Sequence, residues 1–241
     1  MPSDAIRFRG SSTELAARLD APNGATRAYA LFAHCFTCSK DSKAAAFISQ
    51  ALAAQGIATL RFDFSSLEFS SNLDDLVAAA DWLRANRAAP QILAGHSLGG
   101  AAVLAAAARI PEARAIATIG APFEPAHVSR LLASSAEEIR SSGEASVNLG
   151  GRAFRVRKEF FDDLERQDPA RTIGTLGKPL LIFHSPRDTV VNVDNAAKIF
   201  LAAKHPKSFV SLDRADHLLT RKEDAHYAAT VLAAWASWYL T

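Results

Sequence analysis

Short apolar runs alternate with Ala- and Leu-rich stretches along most of this chain, the pattern of a parallel sheet with helices on both faces. Ala5–Arg9 and Thr13–Leu19 read as an entry pair of strands before a turn at Pro22–Gly24. Ala28–Ala33 is a continuous apolar strand, and Lys43–Gln55 a helix closed by Gly56. Ile57–Phe62 is the next strand, followed by a helix over roughly Leu73–Arg87 that ends near Pro90. Gln91–Ala94 reads as a short buried strand, Leu98–Ala108 as a helix of mostly Ala, Gly and Leu, and Ala115–Ile119 as a strand.

The alternation then breaks. From Ala121 to about Lys178 the chain carries Arg, Glu and Ser, then a hairpin-like pair, Ala145–Leu149 and Arg152–Val156, around Gly150–Gly151. Helical periodicity returns in Glu159–Glu165. The stretch is too short for a core of its own. It is therefore expected to be a cap, 121–178, inserted within a single domain over 1–241. The α/β pattern resumes with strand Pro179–Phe183, helix Asp194–Lys204, strand Ser208–Leu212 and a final helix over about Lys222–Tyr239.

Composition narrows the function classes. With 49% hydrophobic residues the chain has ample material for a core, and at 22% charged it has no segment of the disordered type. The 27 basic residues nearly balance the 25 acidic ones. No field therefore draws the chain to nucleic acid or to an anionic membrane surface, and neither partner is expected. The first residues lack the apolar core of a signal peptide, and no stretch reaches bilayer-spanning length. The only cysteines are Cys35 and Cys38, so no disulfide framework of the secreted kind is expected, and a cytoplasmic location is.

The chemistry begins at Gly95-His96-Ser97-Leu98-Gly99-Gly100, between a strand and a small-residue helix. This is G-x-S-x-G in strand–turn–helix context, a nucleophile elbow. Glycine is required two residues either side of the serine, because side chains there would collide. The helix N-terminus and the free N–H of Leu98 favour negative charge beside the Ser97 hydroxyl. Such a serine needs a base, and the base needs an orienting carboxylate; along the chain they follow in the order Ser, acid, His. Asp188, in a turn after strand Pro179–Phe183, is the candidate acid, and His217, before the last helix, the candidate base. All three lie beyond the carboxyl edge of the sheet, where open α/β sheets bind ligands. His96 is expected to point away from Ser97, His34 and His184 to be packed strand ends, and Asp213 and Asp216 to be less well placed rivals of Asp188.

With these motifs the chain resembles the α/β-hydrolase superfamily, close to its dienelactone-hydrolase-like esterases. Leu31–Asp41, Gly95–Gly100 and Ala215–Thr220 together resemble the hydrolase half of α/β-hydrolase/OsmC fusion proteins. No peroxide-reducing activity is carried over, because the chain stops where the hydrolase half would. The resemblance implies a mostly parallel eight-stranded sheet, no cofactor and no metal. It also implies an oxyanion hole in which the Phe36 amide, from the turn His34-Cys35-Phe36, pairs with that of Leu98. Cys35 stands where relatives carry glycine, and Phe64–Ser71 lacks the Gly-x-Gly turn that many have after Asp63. The expected reaction is hydrolysis of small carboxylic esters through an acyl-enzyme, with acyl transfer or perhydrolysis on the same residues as the alternative. The partner is a small ester; natural acyl and alcohol groups and oligomeric state stay open. Cys35-Phe36-Thr37-Cys38 reads as a buried pair of inert thiols or as a redox pair beside the oxyanion turn.

Overall fold

The structure, a computed structural model, describes residues 1–149 and 152–240; the expected Gly150–Gly151 turn lies outside the described residues. The chain enters through β1 (Ser3–Arg9) and β2 (Glu14–Asp20), an antiparallel pair. Then follow β3 (Ala28–Ala33), α1 (Lys43–Ala54), β4 (Ile57–Phe62), α2 (Phe69–Asn86), β5 (Ile92–His96), α3 (Leu98–Ala106) and β6 (Ala115–Ile119). An insert carries a 3₁₀ turn (Pro125–Leu132), α4 (Ala136–Ser142), the hairpin β7 (Glu144–Leu149) and β8 (Arg152–Arg157), α5 (Glu159–Glu165) and α6 (Pro169–Gly174). The chain closes with β9 (Leu180–His184), α7 (Asp194–Ala202), β10 (Lys207–Ser211) and α8 (Lys222–Ser237).

Eight strands form one sheet in the order β1-β2-β4-β3-β5-β6-β9-β10, antiparallel at β1–β2–β4 and parallel from β4 onward. Strands β4, β5, β6 and β9 are buried along their whole length, as strands covered by helices on both faces must be. Successive side chains divide between two apolar layers. Leu31, Leu93 and Ile182 join Leu76, Leu83 and Val103 of α2 and α3, whereas Phe32, Ala94 and Phe183 join Ile48, Leu52 and Leu232 of α1 and α8.

Two buried charged groups pin the loops above the sheet. Arg61, near the C-terminal end of β4, pairs with Asp20 at 2.7 Å and donates to Asp41 Oδ1 at 3.1 Å and to the Lys40 carbonyl. It thereby anchors the far end of the loop that carries Phe36. Asp75 of α2, fully buried, accepts from Ser65 N at 2.7 Å and from Ser11 N at 3.0 Å. A carboxylate inside the molecule thus holds the glycine-free loop after Asp63.

Helix α2 begins a turn earlier than its periodicity indicates. Phe69 is fully buried, and Asp163 of α5 accepts from Ser70 N at 2.8 Å, so the extra turn is fixed by tertiary contacts. Helices α4 and α6 were not anticipated, although α6 carries a local signal: Asp168 caps it by accepting from Arg171 N at 3.0 Å, and Pro169 follows. Among the described residues, no helix is long and apolar enough to cross a membrane.

Candidate active site

The β5–α3 turn is tight enough to force Ser97 to φ 54°, a region that non-glycine residues seldom occupy. A side chain at Gly95 would meet the Gly99 carbonyl oxygen at 2.1 Å, and one at Gly99 would meet the Ala33 and His34 carbonyls at 2.4 Å. Backbone stands on every side, so glycine alone fits. Strain of this kind costs about 1–3 kcal/mol and persists only where the surroundings impose it. Here the Ser97 N–H is held by the Ile119 carbonyl at 2.8 Å, and α3 starts at once. The Leu98 N–H belongs to the first helical turn and has no partner within the helix. The Phe36 N–H, in the turn closed by Cys38 N to Cys35 O at 3.1 Å, has no backbone acceptor among the described residues.

Three separated segments meet at this turn. His217 Nε2 lies 3.0 Å from Ser97 Oγ, and His217 Nδ1 lies 2.7 Å from Asp188 Oδ2. The other Asp188 oxygen accepts from Val190 N at 2.9 Å and Val191 N at 2.8 Å. Burial pushes the Asp188 carboxyl up, but the bonds from His217, Val191 and Val190 outweigh it and hold its pKa below the ordinary value. With Asp188 as acceptor, Nδ1 carries the imidazole proton and Nε2 presents its lone pair to Ser97. The rivals are engaged elsewhere: Asp216 accepts from Thr220 N at 2.9 Å, and Asp213 from Ser211 Oγ at 2.5 Å.

Supporting residues surround this chain of bonds. His96 does point away from Ser97, yet it is not idle: its Nε2 meets the His217 carbonyl at 2.6 Å and its ring centre lies 5.1 Å from that of His217. Ser185 Oγ donates to the Ala215 carbonyl at 2.7 Å, tying the Asp188 loop to the His217 loop. Buried His184 donates to the Val191 carbonyl at 2.8 Å. Gly120, at the end of β6, adopts φ 55°, and a Cβ there would stand 3.2 Å from Asp188 Oδ2. Sequence reasoning missed Gly120, and a glycine directly after a buried strand was its only local signal.

The cysteines are not a pair of inert buried thiols: Cys35 and Cys38 are joined by a disulfide, with Cα atoms 5.2 Å apart, and Cys38 is half-buried. A four-residue turn brings the two Cα atoms within ordinary bridging range. Cys35 also borders the cavity over Ser97, which measures about 400 Å³ and is lined by Phe36, Val128, Arg130, Val190, His217 and neighbours. The insert reaches this cavity through His127, Val128 and Arg130. Leu132, Phe160 and Phe161 of the insert do not line it; they are buried in the apolar layer that the insert shares with α2 and α3, and the Leu131 side chain lies outside the described residues.

Burial of His96 makes acid stability testable. Burial, and then repulsion by a charge on His217, push its pKa from 6.5 down to about 4. Between these values the unfolded chain binds a proton that the folded chain refuses, so stability falls as pH falls through this window. A shift of that size is worth about 3 kcal/mol. His184, shifted down by burial, acts in the same sense. Urea midpoints should therefore drop steadily from pH 7 to pH about 4, and His96→Gln should show a shallower decline over that window. A midpoint independent of pH across the window would refute the assignment.

Similarity to known proteins agrees with this architecture. Residues 30–238 match the alpha/beta hydrolase family. The esterase domain of a Rhodothermus marinus protein is 50% identical over the whole of both chains, with a TM-score of 0.83. Est1E from Butyrivibrio proteoclasticus is 18% identical, with 98% of each chain covered and a TM-score of 0.79. Dienelactone hydrolase from Anabaena variabilis is 21% identical over 100% of this chain and 99% of its own, with a TM-score of 0.72. The last two share the fold. No curated protein matches the chain. The chain belongs to the alpha/beta hydrolase family and is an esterase-type hydrolase.

Proposed function

We propose that the chain hydrolyses small carboxylic esters through an acyl-enzyme formed on Ser97. The observation that carries this reading is the unbroken hydrogen-bonded line Asp188–His217–Ser97 at the floor of an open cavity. Ser97 Oγ attacks the ester carbonyl carbon while His217 Nε2 takes its proton, and Asp188 steadies the imidazolium. The oxyanion that develops is received by the Leu98 and Phe36 amides, donors that need no reorganisation. His217 then returns the proton to the leaving alkoxide. Water, deprotonated by the same nitrogen, releases the acid and regenerates Ser97.

The test joins labelling to turnover. A small fluorophosphonate should modify Ser97 alone, as read by peptide mass spectrometry, and abolish hydrolysis of p-nitrophenyl acetate in proportion to labelling. Modification of another serine, or full labelling with activity retained, would overturn the reading.

A further inference from the structure

Phe36 borders two cavities. One is the chamber over Ser97; the other, about 270 Å³, lies between the Phe36 turn, the loop after Asp63 and the β8 strand. Phe36 is the one described residue that lines both. Its ring rests 5.5 Å from that of buried Phe160, and the chain on its far side is clamped by the Cys35–Cys38 bond and by Arg61 on the Lys40 carbonyl. The half-buried side chain is thus a partition standing on a fixed backbone.

The second cavity has a mixed lining. Phe64, Leu67 and Phe154 are apolar, and Ser39, Asp63 and Ser65 are polar. Phe64 is fixed by edge contacts with Phe62 at 5.1 Å and His34 at 5.0 Å, so it offers a rigid aromatic wall. Asp63 accepts from Lys40 N at 2.6 Å on one oxygen and from Lys40 Nζ at 2.9 Å on the other, with His34 Nε2 4.0 Å from the first, and each oxygen carries a second lone pair. Aromatic walls suit the face of a flat ring, and a carboxylate with spare lone pairs suits a hydroxyl donor. Beyond Ser66, Leu67 and Phe154 the cavity continues into a groove of about 320 Å³, so a ring can enter from solvent.

We infer that the second cavity is the other half of the substrate site, taking a hydroxylated aromatic ring on one side of the ester, with Phe36 dividing it from the reacting carbonyl. This rests on the proposed reaction at Ser97 and adds the substrate class. Asp63 and Phe64 are binding residues in this scheme, and Phe36 sets the size of what passes.

The experiment compares kcat/KM for methyl butanoate and ethyl acetate with methyl 3-(4-hydroxyphenyl)propanoate and 2-(4-hydroxyphenyl)ethyl acetate, which place the ring on the acyl or the alcohol side. The wild type should prefer one of the ring-bearing esters over its simple counterpart by about tenfold or more, the scale of a well-filled pocket. Leu67→Trp and Ser65→Trp, which fill the cavity from two directions, should each bring that ratio near unity; two variants guard against one failing to fold. Phe36→Ala keeps the amide and removes the partition, so the ratio for a naphthyl analogue over the hydroxyphenyl ester should rise. A flat wild-type preference, or a ratio unmoved in folded Trp variants, overturns the inference while Ser97 labelling by fluorophosphonate still stands. Absence of labelling and of all hydrolysis overturns the proposed reaction instead.

Discussion

Ser97→Ala should lower turnover of an activated ester by about 10⁶-fold, the scale of nucleophile removal in other serine hydrolases. The substitution deletes one oxygen and leaves the Cβ, so the turn at φ 54° and its glycine neighbours are undisturbed. What disappears is the atom 3.0 Å from His217 Nε2, the only hydroxyl that the imidazole reaches among the described hydrogen bonds. The residual rate would come from the oxyanion donors acting on water. The fold should survive, because the φ of the turn and the Ser97 N–H bond to the Ile119 carbonyl are both kept. Equal thermal midpoints combined with the collapse in rate would place the effect on chemistry. A loss below about tenfold would mean that the acyl group is carried elsewhere.

Much of the fold could be read from the chain because local and tertiary signals agree. Strands Ala28–Ala33, Ile57–Phe62 and Ala115–Ile119 match their expected limits residue for residue, since each is a mostly apolar run bounded by polar or turn residues. The elbow was legible for a steric reason: Gly95 and Gly99 face backbone at distances that no side chain tolerates. The insert was less legible. Its short helices are set by contacts across the molecule, such as Arg140 over the Phe161 ring at 5.1 Å and Asp163 at the start of α2.

Around the candidate site, the residues missed act through backbone geometry. Gly120 makes room for the Asp188–His217 contact, and His96 holds the His217 carbonyl. Neither role leaves a mark beyond a glycine after a strand and a histidine in the elbow. The Asp63 loop shows the same limit. The lack of a Gly-x-Gly turn was plain in the sequence, yet the agent that shapes the loop, Asp75, lies ten residues beyond Ser65 on another element. The Cys35–Cys38 bond was open to either reading, because spacing cannot tell a pair of thiols from a closed turn.

Asp188→Asn is expected to reduce kcat by about 10⁴-fold, as the equivalent change does in a serine-protease triad. The fold should survive, because the Val190 and Val191 amides that bind one Asp188 oxygen can bind a carboxamide oxygen equally well. With that oxygen committed, the carboxamide NH₂ must face His217 Nδ1, now 2.7 Å from a carboxylate. Two donors cannot share that bond, so the imidazole moves its proton to Nε2 and can no longer accept one from Ser97. The imidazolium also loses its counter-charge. Asp216→Asn is the matched control: its carboxylate takes the Thr220 amide and hydroxyl, touches neither His217 nor Ser97, and should leave kcat within about threefold. Turnover of both variants on one activated ester, with midpoints measured alongside, separates the two carboxylates. Equal losses in folded variants would transfer the role of acid away from Asp188, because only a group bonded to Nδ1 can dictate which imidazole nitrogen holds the proton.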